Sequence, residues 1–138
     1  MELPAKIKEK HFLICDDYES MRVMVTDSLK SLGITKISQA KSGNEGFQFI
    51  LTQMNSPTPV QFVVTDLLMD DGTGIELARQ IRGNAATKHL PILMVTSKSE
   101  VSYVLESIKA GVNSYIVKPW AIEDLHKKIM EVDAKQAK

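Results

Sequence analysis

Five short apolar runs alternate along this chain with longer segments of helical period, and no other feature constrains the fold as much. The runs cover residues 11–15, 36–40, 60–66, 91–96 and 114–118. Four of them are almost continuously apolar, as strands buried on both faces must be, whereas the alternating run 36–40 suits the edge of a sheet. We therefore predict an α/β fold in which helices cover both faces of a doubly wound, parallel, five-stranded sheet.

The segments between the runs carry apolar stripes at helical spacing, which we expect to face the core. The stripes comprise Met21, Met24, Leu29 and Leu32; Val101, Val104, Leu105 and Ile108; and Ile122, Leu125, Ile129 and Val132. Two helix starts carry the capping-box pattern, in which a hydroxyl and a carboxylate each bind a free backbone N–H. The pairs are Ser42 with Glu45 and Thr73 with Glu76. Gly33 and Gly111 follow apolar stripes, and we expect each to adopt the left-handed conformation that often ends a helix.

The 138 residues have the composition of one ordinary domain. We expect a flexible N-terminal extension at 1–10, the domain at 11–132 and a frayed tail at 133–138. Lys plus Arg equals Asp plus Glu at 17 each, so neither nucleic acid nor a membrane surface is an expected partner. The apolar runs are too short to cross a bilayer and the first residues lack a signal-peptide core, which predicts a cytoplasmic protein. The single cysteine, Cys15, is expected to be a buried thiol.

Polar side chains that can do chemistry lie at the ends of four predicted strands. Asp16 and Asp17 follow the first strand, Asp66 ends the third, Thr96 the fourth and Lys118 the fifth. The carboxyl ends of parallel strands meet at one edge of a sheet, where α/β proteins bind their ligands. We therefore expect one site that combines carboxylates, a hydroxyl and an ammonium group.

Clustered carboxylates repel one another unless a cation enters, and Mg²⁺ is the cation that such oxygen ligands suit. With Mg²⁺ and Lys118 as positive charges, the site favours phosphoryl transfer, whose transition state needs charge neutralisation. One carboxylate can then act as the nucleophile and form an aspartyl phosphate. Asp66 is the best candidate, because it ends a central strand between the acidic pair and Lys118. Thr96 is placed to hydrogen-bond a phosphoryl oxygen.

The motifs FLICDD, VVTDLLM, LPILMVTS and AGVNSYIVKP, with the spacing between them, resemble the receiver domains of response regulators. The likeness covers about residues 11–132 and is strongest to the single-domain chemotaxis regulators. It implies a flavodoxin-like (βα)5 fold with strand order 2-1-3-4-5. It also implies a signalling protein of a two-component system, whose only catalysis is its own phosphorylation and slow dephosphorylation.

The resemblance assigns roles to the acids. Asp66 is implied as the phosphoacceptor. The implied ligands of Mg²⁺, for which Mn²⁺ can substitute, are Asp16, Asp17, Asp66 and the backbone carbonyl of Leu68. Asp17 is implied to bind the metal directly, and Asp16 to hold a metal-bound water.

The resemblance also implies a switch and its partners. Lys118 contacts the phosphoryl group from a cis bond to Pro119, Thr96 moves toward that group, and Tyr115 rotates inward. The surface that changes is formed by the fourth and fifth predicted helices and the fifth strand. Its candidate contact residues are Val101, Val104, Tyr115 and Lys128. The implied partners of this monomer are a sensor histidine kinase and, in chemotaxis, the flagellar motor switch protein.

The chain departs from the family pattern beside the expected site. Asp70 stands where the family usually has proline, and Thr73 where many members have an acid. Leu68 and Lys98 occupy two positions that, in the family, tune hydrolysis of the aspartyl phosphate. Two interpretations of Asp70 and Asp71 stay open: they raise Mg²⁺ affinity through space, or they are solvated side chains of an exposed loop.

Other functions also stay open at this point. The motor-binding residues are not diagnostic, so a regulator outside chemotaxis or a phosphorelay shuttle fits the same sequence. A phosphotransferase of the haloacid dehalogenase type is a remote alternative, because that family has a second acid where Leu68 stands. A pseudo-receiver that only binds partners is disfavoured by the complete set of candidate site residues.

Overall fold

A computed structural model describes residues 1–98 and 100–136, which form a parallel sheet with helices on both faces. The strands are β1 (His11–Cys15), β2 (Lys36–Ala40), β3 (Phe62–Thr65), β4 (Ile92–Thr96) and β5 (Ser114–Val117). The helices are α1 (Ala5–Lys8), α2 (Glu19–Ser31), α3 (Gly43–Gln53), α4 (Gly74–Gly83), α5 (Val101–Ala110) and α6 (Ile122–Gln136). The strand order is β2-β1-β3-β4-β5, which confirms the predicted fold class and order. None of the described helices is both long and apolar enough to cross a membrane.

Burial follows the position of each strand in the sheet. Every residue of β1, β3 and β4 is buried, whereas β2 is mostly accessible and lies at an edge, as its alternating sequence predicts. Consecutive residues of a strand point to opposite faces, so each strand contributes to two cores. Leu13 and Val63 pack on the side of α3 and α4, and Phe12 and Val64 pack on the side of α2 and α6.

One of the two predicted capping boxes is complete. The Thr73 hydroxyl accepts from the Glu76 N–H and the Glu76 carboxylate accepts from the Thr73 N–H, each at 3.1 Å. At the start of α3 the Ser42 hydroxyl accepts from the Glu45 N–H at 3.0 Å. The Glu45 carboxylate, however, accepts from the N–H of Lys41 at 3.4 Å, so the second box is only half formed as predicted.

Both glycines that were predicted to end helices adopt the left-handed conformation. Gly33 follows α2 with φ of 98°, and Gly111 caps α5 with φ of 110°. Residues with a Cβ rarely adopt this conformation, so the two glycines end their helices as predicted.

The first ten residues differ from the expected flexible extension, because they pack against the domain. Leu3 and Ile7 are buried in the core on the side of α2 and α6. The Leu3 N–H also donates to the Leu32 carbonyl at 2.9 Å. α1 has only four residues, too few to show a helical period, which is why the sequence did not reveal it. Burial of the two apolar side chains favours the packed position.

The expected frayed tail is helical as far as Gln136, and residues 137 and 138 of that prediction lie outside the described residues. Asp133 is buried in the last turns of α6. Its carboxylate accepts from Lys10 Nζ at 2.7 Å and pairs with Lys6 Nζ at 3.4 Å. The N-terminal segment and the end of α6 therefore hold each other against the domain.

The apolar stripe of α5 does not face the core, so that prediction is wrong. Val101 is 72% exposed, Leu105 54% and Ile108 46%. The buried side chains of α5 are those of Ser107 and Ala110, which are small. A helical period shows that a helix has an apolar face, but it does not show whether another element covers that face.

The other two stripes are largely buried. In α6 and at the end of α2 the buried residues are Leu29, Leu32, Leu125, Ile129 and Val132. Met21 and Ile122 are half-buried, and Met24 is exposed, with Val25 in the core position beside it.

Candidate functional site

Parallel pairing of β1 with β3 places two of the predicted acids side by side. Cys15 ends β1 opposite Thr65 of β3, and the Asp66 N–H donates to the Cys15 carbonyl at 2.9 Å. One carboxylate oxygen from each of Asp16, Asp17 and Asp66 lies within 4.8 Å of the other two. The structure therefore brings these three acids together at the carboxyl edge of the sheet.

Lys118 lies between two of these carboxylates. Its Nζ is 3.1 Å from Asp16 Oδ2 and 3.5 Å from Asp66 Oδ2. The Lys118 N–H donates to the Thr96 carbonyl at 2.8 Å, and the bond to Pro119 is cis, as the resemblance implied. Only 13% of the Lys118 side chain is exposed, so solvent screens its charge less than that of a surface lysine.

Asp16 is the most buried acid of the cluster. Burial raises its pKa, and the charge of Asp66 acts in the same direction, whereas the Tyr18 N–H and the ammonium group of Lys118 favour the ionised form. The Tyr18 N–H donates to Asp16 Oδ1 at 3.0 Å. A cation placed beside Asp16 would oppose the rise in its pKa.

Asp17 has a carboxylate oxygen that accepts no hydrogen bond from the described residues. Its Oδ1 is buried and has no hydrogen-bond partner in the part of the chain that the structure describes. Asp66 Oδ1 accepts from the Leu67 N–H at 2.7 Å, and Asp66 Oδ2 faces Lys118. A buried oxygen without a partner is costly, and a cation can satisfy it. The set of oxygen donors therefore fits a hard divalent cation such as Mg²⁺.

Asp17 and Asp66 open onto a cleft of about 280 Å³. Its lining residues are Asp17, Tyr18, Asp66, Leu68, Met69, Asp70, Thr96 and Ser97. Leu68 lies in the loop between β3 and α4, and its side chain is exposed. Of the two acids in this loop, Asp70 lines the cleft. The Asp71 carboxylate instead accepts a hydrogen bond from Asn44 Nδ2 at 2.6 Å.

Thr96 and Tyr115 are linked through the backbone of Lys98. Thr96 Oγ1 accepts from the Lys98 N–H at 3.4 Å, and the Tyr115 hydroxyl donates to the Lys98 carbonyl. Burial, with the charges of Asp66 and Glu100, raises the pKa of Tyr115 to about 12, so its hydroxyl remains a donor. The segment after β4 thus connects the strand end at the cleft with β5.

Arg22 supports the site, although the motifs of the sequence do not single it out. Its Nη1 donates to the Asp16 carbonyl at 2.7 Å, and its Nε donates to Gln39 Oε1 at 3.0 Å. These bonds fix the Asp16 backbone beside β2. The signal that could have revealed Arg22 is a cation at helical spacing with the buried Val25 and Leu29 of α2.

Comparison with known sequences gives a match over most of the chain. The sequence model of the family described as "Response regulator receiver domain" matches residues 12–130. The chain is 38% identical over 120 residues to the chemotaxis protein CheY of Pseudomonas aeruginosa, which covers 87% of this chain and 93% of that protein. It is 35% identical over 125 residues to the chemotaxis protein CheY-3 of Vibrio cholerae, with coverage of 91% and 92%.

Comparison with solved structures agrees with the sequence match. The chemotaxis protein CheY4 of Vibrio cholerae superposes with a TM-score of 0.78 and 27% sequence identity, over 90% of this chain and 98% of that chain. Lys10 and Asp133, which form an ion pair, both lie outside the residues that the family model matches. The strand order, the acidic cluster and these matches agree, and the chain belongs to the family of response regulator receiver domains.

Proposed function

We propose that this protein is a stand-alone response regulator that accepts a phosphoryl group from a sensor histidine kinase on Asp66. The observation that carries the proposal is the meeting of Asp16, Asp17, Asp66 and Lys118 at the carboxyl edge of the sheet. Three carboxylates and one ammonium group leave an excess of negative charge. An added divalent cation neutralises that excess and makes the cleft suitable for a phosphoryl group.

In this proposal Mg²⁺ is held by Asp16, Asp17, Asp66 and the backbone carbonyl of Leu68. Mn²⁺ can take its place. Asp17 Oδ1 has no hydrogen-bond partner among residues 1–98 and 100–136, and this observation favours a bound cation over a purely structural role for the three acids. Mg²⁺, when bound, neutralises the charge on the phosphoryl oxygens and lowers the barrier to transfer.

Phosphoryl transfer makes Asp66 the nucleophile. A carboxylate oxygen of Asp66 forms the new bond to phosphorus while the phosphorus–nitrogen bond of the donor phosphohistidine breaks. The imidazole leaves with the electron pair of that bond and takes a proton from solvent. Lys118, which pairs with Asp66 before transfer, then binds a phosphoryl oxygen, and the Thr96 hydroxyl donates to another.

The switch uses the contacts between Thr96, Lys98 and Tyr115. When the Thr96 hydroxyl turns toward the phosphoryl group, its bond with the Lys98 N–H is lost, and the Lys98 carbonyl that holds Tyr115 moves with the same segment. A local change of charge at Asp66 thereby alters the surface of α5, β5 and α6.

That surface suits a protein partner, and we propose the flagellar motor switch protein. The exposed Val101, Leu105 and Ile108 of α5 lie on it, together with Val117 of β5. The relatives from Pseudomonas aeruginosa and Vibrio cholerae are named chemotaxis proteins, and the chain matches more than nine-tenths of each. These names favour chemotaxis over a role as a shuttle or as another kind of regulator.

The Mg²⁺ requirement gives a direct test of the site. The protein is incubated with acetyl phosphate, with Mg²⁺ or with EDTA, and its intact mass is measured. We expect one phosphoryl group, stable in acid and labile in base, with Mg²⁺ only, and none in Asp17→Asn under the same conditions. Equal phosphorylation in EDTA would overturn the proposed metal site.

Co-precipitation separates the possible partners. The motor switch protein is incubated with the unphosphorylated protein and with protein treated with acetyl phosphate and Mg²⁺. We expect binding that depends on phosphorylation and that Leu105→Gln weakens. Equal binding in both states, or none in either, would exclude the motor switch protein as the partner that reads phosphorylation.

A further inference from the structure

The loop at residues 67–73, here called the acidic loop, lies against the N-terminal end of α3. The Gly43 N–H donates to the Gly72 carbonyl at 3.0 Å, and the Asn44 N–H donates to the Asp71 carbonyl at 3.2 Å. Asn44 Nδ2 donates to Asp71 Oδ1 at 2.6 Å. Two free N–H groups of the first turn of α3 are thus satisfied by the acidic loop.

Gly43 allows the loop to approach this closely. A Cβ at position 43 would stand 2.4 Å from the Gly72 oxygen, 2.9 Å from the Gly72 carbonyl carbon and 3.1 Å from the Thr73 oxygen. All three atoms belong to the backbone, so no flexible side chain can move aside. Any residue with a Cβ at position 43 must push the acidic loop away from α3.

The other side of the acidic loop is fixed to β3 and α4. The Gly74 N–H donates to the Leu67 carbonyl at 2.9 Å, and the capping box of Thr73 and Glu76 begins α4 directly after the loop. Leu68, whose carbonyl the proposed metal site uses, lies between these fixed points. The position of that carbonyl depends on where the loop is held.

The contact with α3 also separates the two acids of the loop. The Asp71 carboxylate accepts a hydrogen bond from Asn44, whereas Asp70 borders the cleft. Position 70 is an aspartate and not a proline, so the loop lacks the restriction on φ that a proline there would impose. The three bonds to Gly43 and Asn44 hold the loop in its place.

We propose that Gly43, Asn44 and Asp71 are positioning residues, which hold the acidic loop so that the Leu68 carbonyl completes the metal site. This inference rests on the proposed function. Mg²⁺ requires nearly ideal octahedral geometry and short bonds to its ligands, so a small displacement of one ligand weakens binding. In this proposal Asp71 affects Mg²⁺ affinity by holding the loop in place, and not through its negative charge.

The first test displaces the loop. Mg²⁺ is titrated into the unphosphorylated protein, and binding is followed by the NMR shifts of backbone amides. We expect Gly43→Ala to bind Mg²⁺ about tenfold more weakly, because the added Cβ moves the loop. Gly83→Ala is the matched control, since a Cβ there meets nothing within 4 Å, and we expect its affinity to be unchanged. Equal affinity in Gly43→Ala and wild type would overturn the proposal.

The second test separates the hydrogen bond from the charge, and it uses exposed residues, so folding is not at risk. Asn44→Ala and Asp71→Ala are expected to weaken Mg²⁺ binding by about two- to fivefold, as loss of one charge-assisted hydrogen bond allows. Asp71→Asn keeps an acceptor oxygen without the charge and is expected to stay near wild type. If Asp71→Asn weakens binding as much as Asp71→Ala while Asn44→Ala has no effect, charge alone is responsible and the proposal is wrong.

A swap provides a rescue. Asn44→Asp alone sets two carboxylates against each other and is expected to weaken Mg²⁺ binding, whereas the double variant Asn44→Asp with Asp71→Asn restores the pair with donor and acceptor exchanged. A double variant no better than Asn44→Asp alone would contradict the proposal. A failure of the proposed function would give a different result from a failure of this inference. If the proposed metal site does not exist, the wild type would bind Mg²⁺ no better than Asp17→Asn.

Discussion

Lys118 is the one lysine or arginine that forms an ion pair with the acidic cluster among the described residues, and it reaches only two of the three acids. Its Nζ pairs with Asp16 and Asp66, while Asp17 Oδ1 has no partner in the described part of the chain. Asp16 and Asp66 share this one ammonium group. If it is removed, two partly buried negative charges are left with little to neutralise them, which is unfavourable. We therefore expect Lys118 to stabilise the unphosphorylated protein, and we propose that it binds the phosphoryl group afterwards.

Replacing Lys118 by methionine keeps the length of the side chain but removes its charge. In EDTA we expect Lys118→Met to lower the free energy of unfolding by about 1–3 kcal/mol, because Asp16 and Asp66 then repel each other. Mg²⁺ is expected to restore part of this loss, and phosphorylation by acetyl phosphate is expected to slow at least about tenfold. Urea unfolding and intact-mass kinetics measure the two effects.

Lys128→Met is the control for this change. Lys128 lies on α6 and pairs with Glu131 at 3.7 Å across one helical turn, outside the cleft. A surface pair of this kind contributes little, so we expect a change below about 0.5 kcal/mol and normal phosphorylation. If both lysine variants behave alike, Lys118 has no special role.

For single residues, the sequence predicts the acids and the lysine of the site but not the residues that hold them in position. Asp16, Asp66 and Lys118 follow strand ends, and parallel strands bring their carboxyl ends to one edge whatever the details of packing. Arg22 and Asn44 act through contacts with the backbone or with a distant loop. Such contacts depend on the separation of elements, which no local pattern encodes.

α5 is the helix whose apolar stripe is mostly exposed, at Val101, Leu105 and Ile108. Its buried side chains are those of Ser107 and Ala110, and the half-buried Tyr103 also packs against the core on the side of α3 and α4. The exposed residues of the stripe bury little apolar area and so contribute little to the attachment of α5. The Tyr115 hydroxyl holds the segment just before α5 through the Lys98 carbonyl. A helix attached in this way can shift at small cost when the contact between Lys98 and Tyr115 changes.

Leu105 and Leu125 provide a matched pair for testing this arrangement. Leu105 of α5 is 54% exposed and Leu125 of α6 is 1% exposed. We expect Leu105→Gln to change the free energy of unfolding by less than about 0.5 kcal/mol, and Leu125→Gln to lower it by more than about 2 kcal/mol. Urea titration at neutral pH measures both, and a large loss in Leu105→Gln would show that this face of α5 is buried in solution.

The sequence predicts α5 as a helix but not the direction in which its apolar stripe points. In a domain of this class, apolar residues at helical spacing are usually buried, and the stripe of Leu125, Ile129 and Val132 is. The two stripes have the same spacing and similar residues. They differ only in what the rest of the fold places against them.

The two ends of the chain meet on one side of the molecule. Lys10 and Asp133 are 123 residues apart and join at 2.7 Å, and His126 Nε2 lies 3.3 Å from the Glu2 carbonyl oxygen. Leu3 and Ile7 fill the core below them. The sequence could not predict this closure, because a four-residue helix has no period and an ion pair across the chain leaves no local signal.

The pair makes stability depend on pH. Burial alone would raise the pKa of Asp133, but the hydrogen bonds and charges of Lys10 and Lys6 outweigh it and lower the pKa below its ordinary value of 3.8. A carboxylate with a lowered pKa stabilises the fold above the pKa of the unfolded chain, and this contribution is lost as the pH falls through the lower folded value.

We expect Asp133→Asn to lower the free energy of unfolding by about 1–2 kcal/mol at pH 7, and the difference from wild type to shrink as the pH falls below about 4. Urea unfolding from pH 7 to pH 3 measures the difference. Lys10→Met is expected to cost more than Lys6→Met, because the Lys10 side chain is 25% exposed and that of Lys6 is 69% exposed. A difference that does not change with pH would contradict the assignment to Asp133.

The position of the phosphoryl group decides whether Asp66 is the phosphoacceptor. The protein is phosphorylated with acetyl phosphate and Mg²⁺, digested at low pH, and the modified peptide is sequenced by mass spectrometry. We expect one modified residue, Asp66, and no modification in Asp66→Asn. A phosphoryl group on Asp16, Asp17, Asp70 or Asp71 in the wild type, or undiminished phosphorylation of Asp66→Asn, would contradict this assignment.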